Sequence, residues 1–331
     1  MSDISELRRD PVSQDWVIIA TGRAKLPVEF KQDILPSVPE TGECPFEDPE
    51  KSGNKVIFSL PQGDWWWVKV IENKFPVVQG IVCGIESIRG PYTVQAGAGY
   101  HEVVITRDHM RSFGEMTQEE VTMVVETYRQ RYMALRELNC ANYILIFHNH
   151  GRKAGASLPH PHSQIVAIPV IPADVRRSLS GSRRYHEKTG ECAHCAMLAW
   201  EIKEKLRIVW ENEHMVVLSP FVPRDAFELR IYPRVHSSYF EKLNPQEVQA
   251  LAEALRMSLG KLYVGLGNPD YNFFIHTAPV KDLEEHGYYH WHIEIIPKTM
   301  HPPAGFELGT GVDVSEVNPD AVASYLRDIE R

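Results

Sequence analysis

Two histidines flank a proline in the segment GASLPHPHSQ, residues 155–164. A neutral imidazole can attack phosphorus when a carbonyl group keeps one ring nitrogen protonated and the other nitrogen is presented to the substrate. Imidazole is also a common metal ligand. We expect His160 to face an interior metal and His162 to face a cleft as the nucleophile. Gln164 would share the strand face of His162, and its amide can donate to a phosphoryl oxygen in the transition state.

A loop-forming stretch, HNHGRKAGAS, precedes the two histidines. Glycine allows the backbone to approach a ligand closely, and backbone amides in such turns can bind phosphate. Gly151, Gly155 and Ser157 are therefore candidate phosphate contacts.

The order of elements around this segment occurs twice in the chain. Residues 101–121 and 227–248 each contain a short alternating strand that leads to a histidine, His109 or His236. Eight residues after each histidine comes a helix start. This parallel predicts an internal duplication of an α+β unit.

The two helix starts have different caps. Thr117 and Glu120 have the spacing of a capping box, and Asn244 is followed by Pro245 at the first helical position. The helices that follow have apolar residues at helical spacing, in VTMVVETYRQRYMALREL and VQALAEALRMSLGKLYVGL.

Each repeat then continues with an apolar strand and a second strand built on H-x-H. Upstream of each repeat lies a cysteine motif. In the second repeat, Cys192, Cys195, His236 and His290 supply two thiolates and two imidazoles, a set that suits a closed, structural zinc site.

The first repeat offers Cys44, His109 and His160, with Glu47 where the second cysteine would stand. A carboxylate oxygen can bind zinc, so a Cys/Glu/His/His site is one interpretation. The other is that the site has lost its metal and packing has replaced it.

The second H-x-H pair is a weaker candidate for catalysis. His292 would occupy the position of the nucleophile, but no glycine-rich stretch precedes it and Glu294 replaces the glutamine. A carboxylate there would repel a phosphate, so we expect the second repeat to be structural. His276, nearby, is a further candidate metal ligand.

The composition excludes several classes of protein. The chain has 331 residues, a net charge of −9 and 43% hydrophobic residues, which predicts an ordinary globular protein and argues against a dedicated nucleic-acid binder. No apolar run is long enough to span a membrane, and the first residues do not have the pattern of a signal peptide. The five cysteines do not form a secreted disulfide pattern, so a cytoplasmic location is expected.

The segment NHGRKAGASLPHPHSQ resembles the active-site segment of galactose-1-phosphate uridylyltransferases, a branch of the histidine-triad superfamily. The resemblance covers nearly the whole chain, through LRRDPVSQDWVIIATGRAKLP, ENKFPVV and AGFELGTG. It implies that His162 attacks the α-phosphorus of a nucleotide sugar, forms a nucleotidyl-histidine and releases a sugar 1-phosphate. A second sugar 1-phosphate would then attack this intermediate, which gives ping-pong kinetics.

The resemblance also implies roles for other residues. Asn73, Lys74 and Asn149 fall at nucleotide-contacting positions, Ser157 and Gln164 at phosphate-contacting ones, and Glu307 at the hexose-contacting position. Some family features are missing here. Leu26 stands where many relatives have a phosphate-contacting arginine, which leaves Arg23 and Lys25 as the nearby cations. The lysine and glutamine that grip the sugar phosphate in some relatives are absent around TMHPPAGFELGTGVD.

Three functions remain open at this point. The first is uridylyl transfer between UDP-glucose and galactose 1-phosphate, which the HPHSQ form favours. The second is phosphorolysis of ADP-glucose or a related nucleotide. The third is a zinc-stabilised nucleotide-binding or sensing protein, against which the intact His162 and Gln164 argue, because binding alone needs no positioned nucleophile.

The expected fold is α+β, a duplicated histidine-triad-like unit with two antiparallel sheets flanked by helices. The N-terminal repeat would span residues 1–171 and the C-terminal repeat 191–331. Between them, residues 172–190 form a connecting segment that looks polar and turn-rich. The resemblance implies a homodimer whose active site draws on both chains.

Overall fold

The computed structural model describes residues 5–20, 25–32, 44–63, 65–84, 86–281, 283–300 and 303–331. These residues form the strands β1 Glu6–Arg9, β2 Trp16–Ile19, β3 Val56–Leu60, β4 Val68–Glu72, β5 Ser87–Arg89, β6 Tyr92–Val94, β7 Tyr100–Thr106, β8 Tyr143–His150, β9 His162–Ile168, β10 Ile208–Glu211, β11 Met215–Leu218, β12 Leu229–Pro233, β13 Tyr271–His276, β14 His292–Pro297 and β15 Asp313–Ser315. They also form the helices α1 Gln118–Arg136, α2 Ala173–Thr189, α3 Ala193–Glu204, α4 Pro245–Leu266, α5 Gly305–Thr310 and α6 Pro319–Arg327.

Ten of these strands form one antiparallel sheet, in the order β10-β11-β12-β14-β13-β8-β9-β7-β4-β3. Strands β3, β4, β7, β8 and β9 belong to the first repeat, and the other five to the second. The two halves join where β8 pairs with β13, with Asn149 opposite Asn272. The predicted α+β class with antiparallel sheets and flanking helices is confirmed, and the sheets of the two repeats are continuous.

Helices α1 and α4 pack on one face of the sheet and against each other. Both predicted caps are present. The Thr117 hydroxyl accepts the backbone N–H of Glu120, and the Asn244 side chain accepts that of Glu247. The alternation of the strands puts residues such as Ile165 under these helices. Each fully buried aliphatic side chain in this core stabilises the fold by about 1.5–3 kcal/mol. The opposite face of the sheet, called the polar face below, carries polar side chains together with smaller apolar clusters, two of which pack against α2 and α3.

The connecting segment differs from the expectation, because α2 occupies most of it. Its polar composition suits a helix that packs on one side only, with Val175 and Leu179 buried against Tyr239 and Tyr289. The turn between β1 and β2, called the N-terminal turn below, contains Val12. Gly181 approaches its backbone so closely that a Cβ would lie 1.7 Å from the Val12 carbonyl oxygen. A glycine that suggests a turn in the sequence is therefore a close-packing position on a helix.

A small sheet of β1, β2 and β15 carries the N-terminal turn. Residues of this turn line a cavity of about 80 Å³ together with α2, α3 and the second repeat, including Asp10, Ser13, Arg177 and His292. The N-terminal segment therefore covers the polar face of the sheet in the second repeat.

A disulfide joins Cys83 to Cys140. This pair could not be predicted from the sequence, because the two residues lie 57 positions apart with no motif around them. No helix among the described residues has the length and apolar character needed to cross a membrane.

Candidate active site

His162 is the first residue of β9, on the polar face of the sheet. Its Nδ1 donates to the backbone carbonyl of His160, at 2.8 Å, so Nε2 carries the free lone pair. The side chain is 7% exposed and packs beside the ring of Phe46, with ring centroids 5.2 Å apart. Burial lowers the pKa of His162, and the hydrogen bond to the carbonyl opposes this only in part. The imidazole is therefore held neutral and oriented, as a nucleophile requires.

His160 lies behind His162 and is fully buried. Its Nε2 donates to the Thr106 carbonyl at 2.7 Å, which leaves Nδ1 facing the Cys44 sulfur at 3.5 Å. Residues two apart on a regular strand share a face. The two imidazoles diverge because the strand begins only at His162, and His160 lies in the bend that precedes it.

The ligand atoms of Cys44, His109 and His160 lie within 4.8 Å of one another, as a metal site requires. Glu47 reaches this group through His109, whose Nδ1 lies 2.6 Å from the Glu47 carboxylate. Cys44 thus belongs to the cluster, and Glu47 contacts His109, one of the predicted ligands.

Gln164 follows on the same face as His162. Its Oε1 accepts from Nε2 of His101 at 2.8 Å, which directs the amide nitrogen elsewhere. Asn73 packs against the same imidazole, with its Nδ2 3.1 Å from Nε2. His101 was not predicted from the sequence, although the alternation of HEVVIT puts it on the same face as Val103.

Asn149 closes the site on the side of β8. Its Oδ1 accepts from the amide of Asn272 on β13, at 2.8 Å, and the same Asn272 nitrogen donates to the Ala154 carbonyl, also at 2.8 Å. Gly155, in the loop that joins β8 to β9, has the positive φ of 89° that favours glycine. Asn272 was missed because it lies in the other repeat.

Asp270 holds the start of this loop. Its carboxylate accepts the backbone N–H of Lys153 at 2.6 Å. Gly151 has φ of 80°, and a Cβ there would lie 2.2 Å from that carboxylate. Gly151, one of the glycines predicted to allow phosphate to approach, thus also fits the loop onto the second repeat.

The remaining predicted contacts are not all directed at His162. Lys74 donates to the carbonyl of Ser52 at 2.5 Å, and Ser157 is exposed on the loop. Glu307 lies at the start of α5, where its carboxylate accepts the backbone N–H of Ala304 at 3.0 Å. Arg23 lies outside the described residues.

The second metal cluster comprises the four predicted residues Cys192, Cys195, His236 and His290, with ligand atoms within 4.8 Å of one another. The Cys195 sulfur lies 3.2 Å from Nδ1 of His236 and 3.4 Å from Nδ1 of His290. The other ring nitrogens donate to the carbonyls of Gly287 and Pro233, as is usual for metal-bound histidines. Contact with Cys195 lowers the pKa of Cys192. This donor set fits a tetrahedral metal.

His292 repeats the geometry of His162, since its Nδ1 donates to the His290 carbonyl at 3.1 Å. Its surroundings are different. Glu294, in the position of Gln164, forms ion pairs with Arg224 and Arg230, and His292 is 3% exposed beneath the N-terminal turn. Burial lowers the pKa of His292 to about 4. A phosphate would meet a paired, buried carboxylate there.

A neutral, carbonyl-oriented histidine beside amide donors and a glycine-containing loop is the site of a nucleotidyl-transferring histidine-triad protein. Residues 1–172 match the family model described as galactose-1-phosphate uridyl transferase, N-terminal domain, and residues 91–329 match a domain of unknown function. The chain belongs to the galactose-1-phosphate uridylyltransferase family.

Individual relatives cover nearly the whole chain. An ADP-glucose phosphorylase from Arabidopsis thaliana is 34% identical over 98% of this chain and 93% of its own length. A galactose-1-phosphate uridylyltransferase from Thermotoga maritima is 28% identical over 98% of each chain. A crystal structure of an ADP-glucose phosphorylase from Arabidopsis thaliana with bound ADP-glucose superposes with a TM-score of 0.84 and 32% identity, covering 99% of this chain and 100% of that one.

Proposed function

We propose that this protein is a nucleotidyltransferase that moves the uridylyl group of UDP-glucose to a hexose 1-phosphate such as galactose 1-phosphate. The observation that carries the proposal is the hydrogen bond from Nδ1 of His162 to the His160 carbonyl, which fixes the neutral imidazole with Nε2 presented. Membership of the family and the Thermotoga maritima relative support it.

In the first half-reaction, Nε2 of His162 attacks the α-phosphorus, and the bond from that phosphorus to the sugar 1-phosphate oxygen breaks. The amide of Gln164 stabilises the charge that develops on the phosphoryl oxygens. In the second half-reaction, a phosphate oxygen of the acceptor attacks the nucleotidyl-histidine, and the phosphorus–nitrogen bond breaks. Because the first sugar 1-phosphate leaves before the acceptor attacks the covalent intermediate, the kinetics are ping-pong.

Among the other residues, Asn73 and Asn149 would bind the nucleotide, and Gly155 and Ser157 its phosphates. Lys74 would have to leave the Ser52 carbonyl to take part. Arg23 and Glu307 keep the phosphate-binding and hexose-binding roles that the family resemblance implies.

A second candidate is ADP-glucose phosphorolysis, in which inorganic phosphate is the acceptor. It is favoured by the 34% identity to the Arabidopsis thaliana ADP-glucose phosphorylase and by the TM-score of 0.84 to the structure with bound ADP-glucose. The same adduct chemistry at His162 serves both functions, and the donor base and the acceptor distinguish them.

Zinc is the metal proposed for the Cys192 cluster, where two thiolates and two imidazoles match its preferred ligands. A second zinc ion is proposed at Cys44, His109 and His160, with Glu47 as the fourth ligand. Each metal would act structurally, and the ion held by Cys44, His109 and His160 would fix His160 and hence the carbonyl that orients His162. A cytoplasmic location belongs to the same proposal, because the thiols of both clusters must stay reduced to bind metal, whereas Cys83 and Cys140 are paired in a disulfide.

Each chain is further proposed to consist of two repeats, at 1–171 and 191–331, joined by residues 172–190. Two such chains are proposed to form a homodimer. The homodimer is supported by the exposed apolar surface beside Asn73, since exposed apolar patches commonly mark interfaces. That surface includes Phe75, Val77, Ile81 and Val82, each at least 68% exposed.

Intact-protein mass after incubation with UDP-glucose or ADP-glucose, without acceptor and at mildly alkaline pH, tests the proposal. A uridylyl adduct that disappears in His162→Ala and persists in the matched control His292→Ala is the expected result. An adenylyl adduct alone would select the phosphorylase. An adduct that persists in His162→Ala would refute the mechanism.

A further inference from the structure

We propose that His101 is a positioning residue that fixes the orientation of the Gln164 carboxamide, so that its nitrogen and not its oxygen faces the reacting phosphoryl group. The inference rests on the proposed function and adds a residue to its machinery. His101 is 8% exposed and lies on β7, next to Gln164 on β9.

The hydrogen bonds of His101 define its tautomer. Nδ1 accepts the backbone N–H of Val77 at 3.2 Å, so Nδ1 carries no proton. In a neutral imidazole the proton is then on Nε2, which lies 2.8 Å from Oε1 of Gln164. Gln164 accepts this bond through its oxygen, and its two N–H groups remain available to phosphate.

Burial lowers the pKa of His101, although the hydrogen bond with Gln164 opposes the shift. The ring therefore stays neutral, which keeps Nδ1 an acceptor for Val77. A charged ring would have two donors and would lose this backbone contact.

Asn73 connects the same histidine to the nucleotide-contacting segment. Its backbone N–H donates to the His101 carbonyl at 2.9 Å, and its side-chain oxygen accepts the N–H of Phe75, also at 2.9 Å. The amide nitrogen of Asn73 lies 3.1 and 3.4 Å from the two ring nitrogens. His101 therefore contacts two of the residues predicted to touch the substrate.

The positions of His101 and Gln164 have counterparts in the second repeat, Glu228 and Glu294. His101 precedes His109 by eight residues, and Glu228 precedes His236 by eight. Val103 pairs with Gln164 across β7 and β9, as Arg230 pairs with Glu294 across β12 and β14.

In the second repeat the corresponding residues, Glu228, Arg230 and Glu294, are all charged. Arg230 donates to Glu228 at 2.8 Å and lies 3.4 Å from Glu294, so the carboxylates are neutralised internally. In the first repeat the corresponding positions hold a neutral donor and a neutral acceptor, His101 and Gln164. The first repeat thus keeps donors free for an anion where the second uses its polar groups on one another.

The consequence for the reaction is electrostatic. Without the proton on His101, the Gln164 carboxamide can rotate and present Oε1 to a phosphoryl oxygen. That contact repels the charge that develops in the transition state and removes a donor, and removal of one such donor slows related reactions by about 100-fold or more.

The test is a double-mutant cycle on the rate of nucleotidyl-His162 formation, in the full-length, metal-loaded protein with UDP-glucose and with ADP-glucose. His101→Phe keeps a ring of similar shape without a donor, and we expect it to slow the step by about 10-fold or more. His101→Gln, which retains an N–H donor, should recover much of the rate. In a Gln164→Ala background, His101→Phe should have no further effect, because its action passes through Gln164.

Full activity of His101→Phe, or an equal loss in both backgrounds, would overturn the inference. Nitrogen-15 NMR of the imidazole of His101 in the ligand-free protein gives a readout that needs no turnover. The expected tautomer has the proton on Nε2, and a proton on Nδ1 would also overturn it. If neither sugar nucleotide labels the wild type, the proposed function fails, and the tautomer still decides whether His101 donates to Gln164.

Discussion

Replacement of Asn272 by alanine is predicted to weaken a site that belongs mostly to the other repeat. One amide nitrogen of Asn272 donates both to Oδ1 of Asn149 and to the carbonyl of Ala154, each at 2.8 Å. These two hydrogen bonds fix Asn149, a predicted nucleotide contact, and the loop that precedes His162. The variant therefore removes a connection between the repeats without touching the nucleophile.

The magnitude follows from the two bonds. A hydrogen bond contributes about 1 kcal/mol net to stability, so the free energy of unfolding should fall by about 2 kcal/mol. The loop would also lose its fixed position, and small misplacements of reacting groups are costly. We expect adduct formation at His162 to slow by about 10-fold, which corresponds to about 1.4 kcal/mol in the barrier.

Asn272→Asp separates loss of the donor from loss of bulk. It keeps the shape of the side chain but presents carboxylate oxygens to the oxygens of Asn149 and Ala154, so it should be worse than Asn272→Ala in both properties. Urea denaturation measures the stability, and quenched-flow mass spectrometry measures the labelling rate. If Asn272→Asp matched the wild type, or were milder than Asn272→Ala, this account of the loop would be wrong.

Three further predictions concern metal, disulfide and pH. Cys192→Ser should lower both the bound metal measured by elemental analysis and the Tm, whereas unchanged metal content would remove this cluster from the account. Cys83→Ser should lower the Tm in the absence of reductant, and the free energy of unfolding should fall by at most about 4 kcal/mol for a loop of 57 residues. Reductant should bring the wild type to the same Tm as the variant. A wild-type Tm that does not change with reductant would contradict the bond to Cys140. Burial raises the pKa of Asp225 from 3.8 to about 7, so its contribution to stability is complete below 3.8 and is lost as the pH rises through 7. Asp225→Asn should therefore stabilise the protein in urea more at pH 8 than at pH 5, and an equal effect at both would refute the assignment.

The features that could be predicted from the sequence are those in which a hydrogen bond or a set of metal ligands determines how far apart the residues lie along the chain. Caps such as Thr117 with Glu120 are local, because both hydrogen bonds close within one turn. The second metal cluster could be predicted because cysteine and histidine stood in the same order twice. In both cases the residue types alone restrict the structure.

The features that sequence analysis missed depend on packing between distant segments. The glycines and serines of 172–190 suggest a turn, yet Gly181 is required where α2 meets Val12. His101 and Asn272 have no motif of their own, and each acquires a role only when another strand brings a carboxamide next to it. Such contacts lie on the sheet face that points away from α1 and α4, and the hydrophobic periodicity of a strand does not show which polar side chains will meet there.

The two repeats differ in the charges around one shared backbone geometry. In both, a backbone carbonyl accepts the Nδ1–H of the second histidine of H-x-H, so each repeat has an oriented imidazole. What separates them is the neighbour two residues later. Gln164 keeps a neutral amide available, whereas Glu294 is buried and paired with arginines. Exchange of Glu294 for glutamine would leave Arg230 beside Glu228 under the N-terminal turn. A second active site would therefore require both that charge network and the turn above it to change.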